Sequence, residues 1–296
     1  MITSTSNPKI KELKQLQKKA KLRQEKGLFI AEGLRMVGET PKERVFAAYV
    51  AEHFEKEHAD WLARWDVPYE TVVDSIFDSV CDTKTPQGIL CLVKRQEWTM
   101  DELLAGKSES CGQEDCGQKD CGSVEGHGQE ESCGKKRRAP FFLLIENLQD
   151  PGNLGTIFRT GEAAGVSGII MNRETVDIYN PKTVRSTMGA IYRVPFLYTD
   201  SLERAIEQLK TAGIRIYAAH LKGETNYSDF SYEKGTAFLI GNEGNGLSEQ
   251  IVALADAYLK IPMEGQAESL NAAVAAAVLM YEVHRQRRKN NNCKVI

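Results

Sequence analysis

The second half of this 296-residue sequence predicts an α/β fold with a mainly parallel sheet. Two observations carry that expectation: apolar runs alternate regularly with helical patterns, and three of those runs end in loops of unusual composition. FFLLI (Phe141 to Ile145) and TAFLI (Thr236 to Ile240) read as buried strands, and AYLKIP (Ala257 to Pro262) reads as a third. The loops are PGNLGTIFRTGEAAG (Pro151 to Gly165), FLIGNEGNGLSE (Phe238 to Glu249) and KIPMEGQAESLNAAVAAAV (Lys260 to Val278), each running into a helical pattern. Glycine lets backbone approach a ligand closely, and ligands of open α/β sheets bind at the carboxyl ends of strands. The three ends are therefore expected to form one composite site.

Taken in order, residues 1–98 read as a small α/β unit. Asn7-Pro8 opens a helical stretch to about Gln24, GLFIAEG (Gly27 to Gly33) reads as a strand, and Leu34 to Glu39 begins another helix. AAYVAE (Ala47 to Glu52), YETVVD (Tyr69 to Asp74) and GILCLVKR (Gly88 to Arg95) continue the alternation of a layered fold. Residues 99–138 change character: the tract SESCGQEDCGQKDCGSVEGHGQEESCGKKRR holds almost no large apolar residue. Such a composition cannot bury enough surface to offset its ordering entropy, so a flexible linker is expected. Cys111, Cys116, Cys121, Cys133 and His127 invite a metal reading. Their spacing is loose for a structural zinc site, and a low-complexity linker with no resident metal is the preferred expectation.

Residues 139–289 then form the second domain. Strands are expected at 141–145, 168–171, 214–218, 237–240 and 258–261, between helices near 155–164, 181–188, 202–212, 248–253 and 270–288.

Hydrophobic content of 42% and charged content of 27% are ordinary for a globular protein. No apolar run approaches the roughly 20 residues needed to span a bilayer, and MITSTSNPKIKELK has no secretory apolar core. A cytoplasmic location is the expectation. The net charge of −3 argues against a strong nucleic-acid binder, yet its distribution does not. Residues 1–26 carry Lys9, Lys11, Lys14, Lys18, Lys19, Lys21, Arg23 and Lys26 against Glu12 and Glu25. A basic arm of this kind can neutralise RNA phosphates whatever the total charge; a solvated helix face is the alternative.

Singly, the loop residues have plain explanations. Asn153 can cap a helix, Arg159 can be a surface charge, and Ser269 can cap the long Ala-rich helix that follows. GNEGNG lacks the Lys-Ser/Thr ending of a P-loop and does not match the dinucleotide fingerprint. Glu243 within it would repel a pyrophosphate and suits a neutral or cationic ligand.

Together, the order and spacing of the loops resemble the three motifs of the SpoU (TrmH-like) RNA ribose 2′-O-methyltransferases of the SPOUT superfamily. ITSTSNPKIKELKQL, GLFIAEGLRMV and KTPQGILCLV resemble the substrate-binding domain that precedes the catalytic domain in part of that family. The resemblance implies S-adenosylmethionine as methyl donor, a trefoil knot, a homodimer with a shared site, and RNA as substrate, with ribosomal RNA favoured over transfer RNA. It places Asn153 and Arg159 in motif one, Glu243 in motif two, and Ser269 and Asn271 in motif three. Cofactor contacts are implied at Leu239, Ile240, Gly241, Asn242, Ile261, Pro262, Met263 and Leu270, largely through backbone. Arg159 is expected to stabilise the developing alkoxide. A non-enzymatic RNA-binding or ribosome assembly factor is the rival reading, and a nucleotide-dependent oxidoreductase a weaker one.

Overall fold

The computed structural model describes residues 1–106, 138–220, 223–266 and 268–289. The cysteine-rich tract, with the candidate metal ligands Cys111, Cys116, Cys121, His127 and Cys133, lies outside the described residues.

The N-terminal unit runs α1 (Pro8–Lys18), α2 (Ala20–Lys26), β1 (Leu28–Glu32), α3 (Leu34–Gly38), β2 (Val45–Ala51), α4 (Glu52–Glu57), α5 (Ala59–Trp65), β3 (Glu70–Val72), α6 (Asp74–Asp78) and β4 (Ile89–Lys94). Its four-stranded sheet has the order β1-β4-β2-β3, antiparallel except for the β2–β3 pair. Asn7 starts α1 by accepting from the Lys9 amide at 2.9 Å.

The single helix expected to Gln24 breaks instead at Lys19, which is extended at φ −113°. Arg23 explains why the break is tolerated. Its Nη1 donates to the carbonyls of Leu16 (2.7 Å) and Gln17 (3.0 Å), two of the acceptors a helix end leaves unsatisfied. Its Nε and Nη2 donate to Asp177 of the second domain at 2.9 and 2.7 Å. Arg23 is only 3% exposed, so it is not part of an RNA-facing surface. Charge pattern alone could not separate it from its lysine neighbours.

The segment expected to be a linker is structured at its start. α7 (Met100–Ala105) opens with a capping box between Thr99 and Glu102. Leu103 is buried with Phe142, Leu144 and Ile170, packed over Gly168.

The C-terminal unit continues with β5 (Phe141–Ile145), α8 (Pro151–Ala164), β6 (Gly168–Asn172), α9 (Pro181–Thr187), β7 (Phe196–Thr199), α10 (Leu202–Thr211), β8 (Arg215–Ala219), β9 (Thr225–Asn226), β10 (Thr236–Ile240), α11 (Glu249–Ala253), β11 (Ala257–Lys260) and α12 (Ala272–Lys289). Its seven strands are all parallel, in the order β7-β6-β5-β10-β8-β11-β9. The parallel α/β architecture is as expected. β7 and β9 were not foreseen, being four and two residues long and lying at the two sheet edges. β5 and β10 are neighbours at the centre, which places the first two motif loops side by side.

The two units share one apolar core. Phe29 of β1 meets Tyr179 at 4.7 Å between ring centroids. The Tyr179 hydroxyl donates to the Gln96 carbonyl at 2.9 Å and accepts from its amide at 3.1 Å. Thr40 donates to the Tyr192 hydroxyl at 2.8 Å. Arg193 pairs with Glu39 at 2.7 Å and with Glu162 of α8, and Arg185 pairs with Asp82 at 2.7 Å. Desolvation raises the Tyr192 pKa, so this phenol stays protonated through the physiological range.

Arg23→Ala would strand Asp177 and uncap the end of α1. Breaking a well-buried pair costs about 3–5 kcal/mol. Asp177 keeps some solvent access, so a loss of about 2–3 kcal/mol is expected, measured by urea unfolding. A loss below half a kilocalorie would mean that the pair does not hold the units together.

Candidate active site

Loop one begins where β5 ends. Glu146 is 7% exposed and accepts from the amide and hydroxyl of Ser248, at 2.8 and 2.7 Å. This fastens the far end of loop two to the end of β5. Asn147 adopts φ 56°, a conformation Asn tolerates better than most residues. There its carbonyl accepts from the side chains of Asn242 (2.7 Å) and Gln149 (3.0 Å). Its own amide donates to Asn172 of β6 at 2.9 Å. Sequence reading did not single out Glu146, Asn147, Gln149 or Ser248; the only signal was their position beside the strand ends.

Glu243 is the junction of the first two loops. One carboxylate oxygen accepts from the Gln149 amide at 3.1 Å, and the other from the Asp150 amide at 3.0 Å and from Asn153 Nδ2 at 3.0 Å. The Asn153 Oδ1 accepts in turn from Asn271 Nδ2 at 3.0 Å. Asn271 Oδ1 accepts from the amides of Ala273 and Val274, capping α12. One continuous chain of hydrogen bonds therefore joins all three loops. The cap of α8 is Asp150, whose side chain accepts from the Asn153 amide at 2.8 Å. This leaves the Asn153 side chain free for the chain just described, so the capping explanation for it does not hold.

The carboxylate of Glu243 faces the first turn of α8, where exposed amides and the helix dipole favour negative charge. Partial burial pushes its pKa up, but the hydrogen bonds from Asn153, Asp150 and Gln149 outweigh that and hold it below the usual carboxylate range. The stabilisation is complete above the ordinary carboxylate value and fades as pH falls through the depressed one.

Loop two closes on itself. Asn242 and Gly246 exchange backbone hydrogen bonds of 2.9 and 3.0 Å, and the Asn242 side chain accepts from the Gly244 and Asn245 amides. A Cβ on Gly241 would lie 2.3 Å from the Gly246 carbonyl carbon, so only glycine fits. The side chains of Leu239 and Ile240 are buried in opposite core layers, and their backbone belongs to the central ladder, with the Ile240 carbonyl accepting from the Glu146 amide at 2.9 Å. Ile261 and Leu270 are half-buried, while Pro262, Met263 and Ser269 are exposed. Ser269 is not part of the hydrogen-bond chain.

Arg159 is not gathered with Asn153, Glu243 and Asn271. It is exposed on α8, about 9 Å along the helix from Asn153 and roughly 120° round its axis. Of the expected RNA contacts, Lys11, Lys18, Lys19 and Lys21 are exposed and Lys14 is half-buried. Lys9 pairs with Glu70 and Lys21 lies 3.9 Å from Glu25. No cluster of His, Cys, Asp and Glu able to hold a metal occurs among the described residues.

Comparison with known proteins gives a consistent picture. The sequence model of the SpoU rRNA Methylase family matches residues 140–281, and that of the MRM3-like substrate binding domain matches residues 7–91. The chain is 30% identical over 282 residues, 95% of its length and 98% of the relative's, to the 23S rRNA (guanosine(2553)-2′-O)-methyltransferase RlmP of Bacillus subtilis. A crystal structure of an AdoMet-bound rRNA methyltransferase from Sinorhizobium meliloti superposes with a TM-score of 0.74 at 28% identity, covering 96% of this chain and 97% of that one. The SpoU methyltransferase AviRb from Streptomyces viridochromogenes, in complex with AdoMet, gives 0.76 at 26% identity, covering 95% and 98%.

Asn153→Asp would set a second carboxylate against Glu243. S-adenosylmethionine should bind about tenfold more weakly at pH 8, and recover as protonation relieves the repulsion near pH 5.5. The wild type should keep its affinity between those two pH values, because Glu243 is held below the usual carboxylate range and stays ionised at both. Calorimetric titration at the two pH values reads both trends, and a variant with wild-type affinity at pH 8 would remove Asn153 from the site.

Proposed function

We infer the roles of these residues from one premise: the chain belongs to the SpoU rRNA methylase family. It is an RNA ribose 2′-O-methyltransferase that uses S-adenosylmethionine. The residues present suit that donor. We assign the nucleoside to the loops after β10 and β11, which carry the apolar Ile261, Met263 and Leu270, and the Glu243 anion tolerates a sulfonium. When bound, the cofactor supplies a methyl group already activated for transfer, so the protein has to align the acceptor and ease loss of its proton.

The observation that carries the site assignment is the hydrogen-bond chain Glu243–Asn153–Asn271. We assign to it the positioning of the ribose against the cofactor loops, with Ser269 contributing from the third loop. Arg159 is the group assigned to the developing alkoxide. A guanidinium with a pKa above about 12 stays protonated at neutral pH, so it acts by electrostatic stabilisation, and solvent or a substrate phosphate takes the proton.

Arg159 faces away from its own Asn153, and α12 carries an uncovered apolar stripe: Val274 is 49% exposed, Tyr281 50%, and Val278 between them is half-buried. Both features support a homodimer in which a second copy covers the stripe and each active site takes its arginine from the partner. The family's trefoil knot in the C-terminal part belongs to the same proposal. The substrate proposed is 23S ribosomal RNA, in the cytoplasm. Support for it comes from similarity to the Bacillus enzyme across both units, and transfer RNA is the alternative.

Arg159→Ala should abolish methyl transfer while leaving cofactor affinity within about twofold, because the arginine acts on the acceptor and not on the donor. Mixing inactive Arg159→Ala and Asn153→Ala subunits should restore about a quarter of the wild-type rate, since half the dimers are mixed and each holds one intact site. No recovery after verified subunit exchange would place the arginine in its own subunit's site. Ribose-methylation mapping of ribosomal and transfer RNA from cells lacking the protein tests the substrate.

A further inference from the structure

Phe46 is the one large apolar side chain of the N-terminal sheet that the described structure leaves in solvent, at 60% exposure. It stands where the β2–β4 register shifts between Val45 and Ala47. Bulges of this kind re-aim a side chain away from the pleat, here out of the core. The surroundings are cationic: residues 42–46 and 94–97 bring Lys42, Arg44, Lys94 and Arg95 together against Glu43 and Glu97.

The strip is also rigid. Arg44 donates to the Lys94 carbonyl through Nε (3.2 Å) and Nη2 (2.9 Å), and to the Gln96 side chain through Nη1 (3.0 Å). Arg44 lies 5.7 Å above the Tyr192 ring and Arg95 lies 4.5 Å above the Tyr179 ring, both rings belonging to the catalytic unit. Phe46 thus lies two residues from an arginine that is anchored at the seam between the two units.

A protein-docking patch needs contiguous apolar area of several hundred square ångströms, and one ring among cations does not provide it. A single exposed ring flanked by lysines matches the chemistry of a splayed-out nucleobase with its neighbouring phosphates. We propose that Phe46 is a stacking platform for an unpaired base of the RNA substrate, with Lys42 and Lys94 beside the flanking phosphates. The inference rests on RNA being the substrate, and commits to no particular nucleotide.

The test uses the full chain, with in-vitro transcribed 23S rRNA and unfractionated transfer RNA as probes. Phe46→Ala should weaken binding of the preferred RNA about tenfold, the loss expected when one stacked base is given up. The maximal methylation rate, cofactor affinity and melting temperature should not change. Phe46→Trp should keep wild-type affinity and show RNA-dependent quenching absent from the wild type, whereas Phe46→Leu should behave like Phe46→Ala. Wild-type affinity in the alanine variant overturns the proposal, as does wild-type affinity in the leucine variant, which would indicate apolar contact without stacking. A changed sedimentation coefficient in the alanine variant would reassign the ring to a contact between copies. Preference for transfer RNA would overturn the ribosomal substrate but leave the Phe46 comparison intact.

Discussion

Everything at the catalytic end of the molecule depends on one carboxylate accepting three N–H donors. Glu243 receives the amides of Gln149 and Asp150 and the side chain of Asn153. A carboxylate can accept at both oxygens at once, and a helix start supplies free donors. The pairing thus fixes the loop after β10 against the loop after β5 without any metal or covalent bond. Asn153 extends the connection to Asn271, and through it to the first turn of α12. A side-chain amide donates from its nitrogen and accepts at its oxygen, in two different directions. The two asparagines therefore act as adaptors between an anionic acceptor and a helix cap.

The domain seam is built on a different principle. Aromatic packing of Phe29, Tyr179 and Phe196 supplies apolar burial, and polar ties at its margin set orientation. Each tie pairs polar groups that packing at the seam removes wholly or partly from water. Asp177 receives Arg23, the Tyr192 hydroxyl receives Thr40, and the Tyr179 hydroxyl answers both backbone groups of Gln96. The N-terminal unit is held in this way in a fixed geometry relative to the catalytic loops. It does not behave as a tethered module that samples many orientations.

The sequence made the parallel sheet legible because β5, β6, β8 and β10 are apolar enough to be buried on both faces. The motif residues were legible as a set, through order and spacing. What escaped was non-local. Arg23 sits in a run of lysines and looks like one of them; only the break at Lys19 and a partner more than a hundred residues away make it a core residue. Glu146 and Ser248 have no shared local pattern. β7 and β9 are too short to show a period, and α7 directly precedes the low-complexity tract, which made it look like part of an unstructured flank. Arg159 was identified as a motif residue, but its direction relative to Asn153 follows from helical phase, which the motif does not encode.

The same long-range wiring governs when the enzyme comes into being. The hydrogen bond from Asn271 to Asn153 spans 118 positions, and β5 pairs with β10 from nearly as far away. Parallel pairings of such separation close slowly, because loop entropy must be overcome before the contact stabilises anything. During translation, the N-terminal helices and first sheet can be complete while the catalytic pocket still lacks its last wall. The link from Asn271 to Asn153 therefore forms only once the start of α12 has left the ribosome.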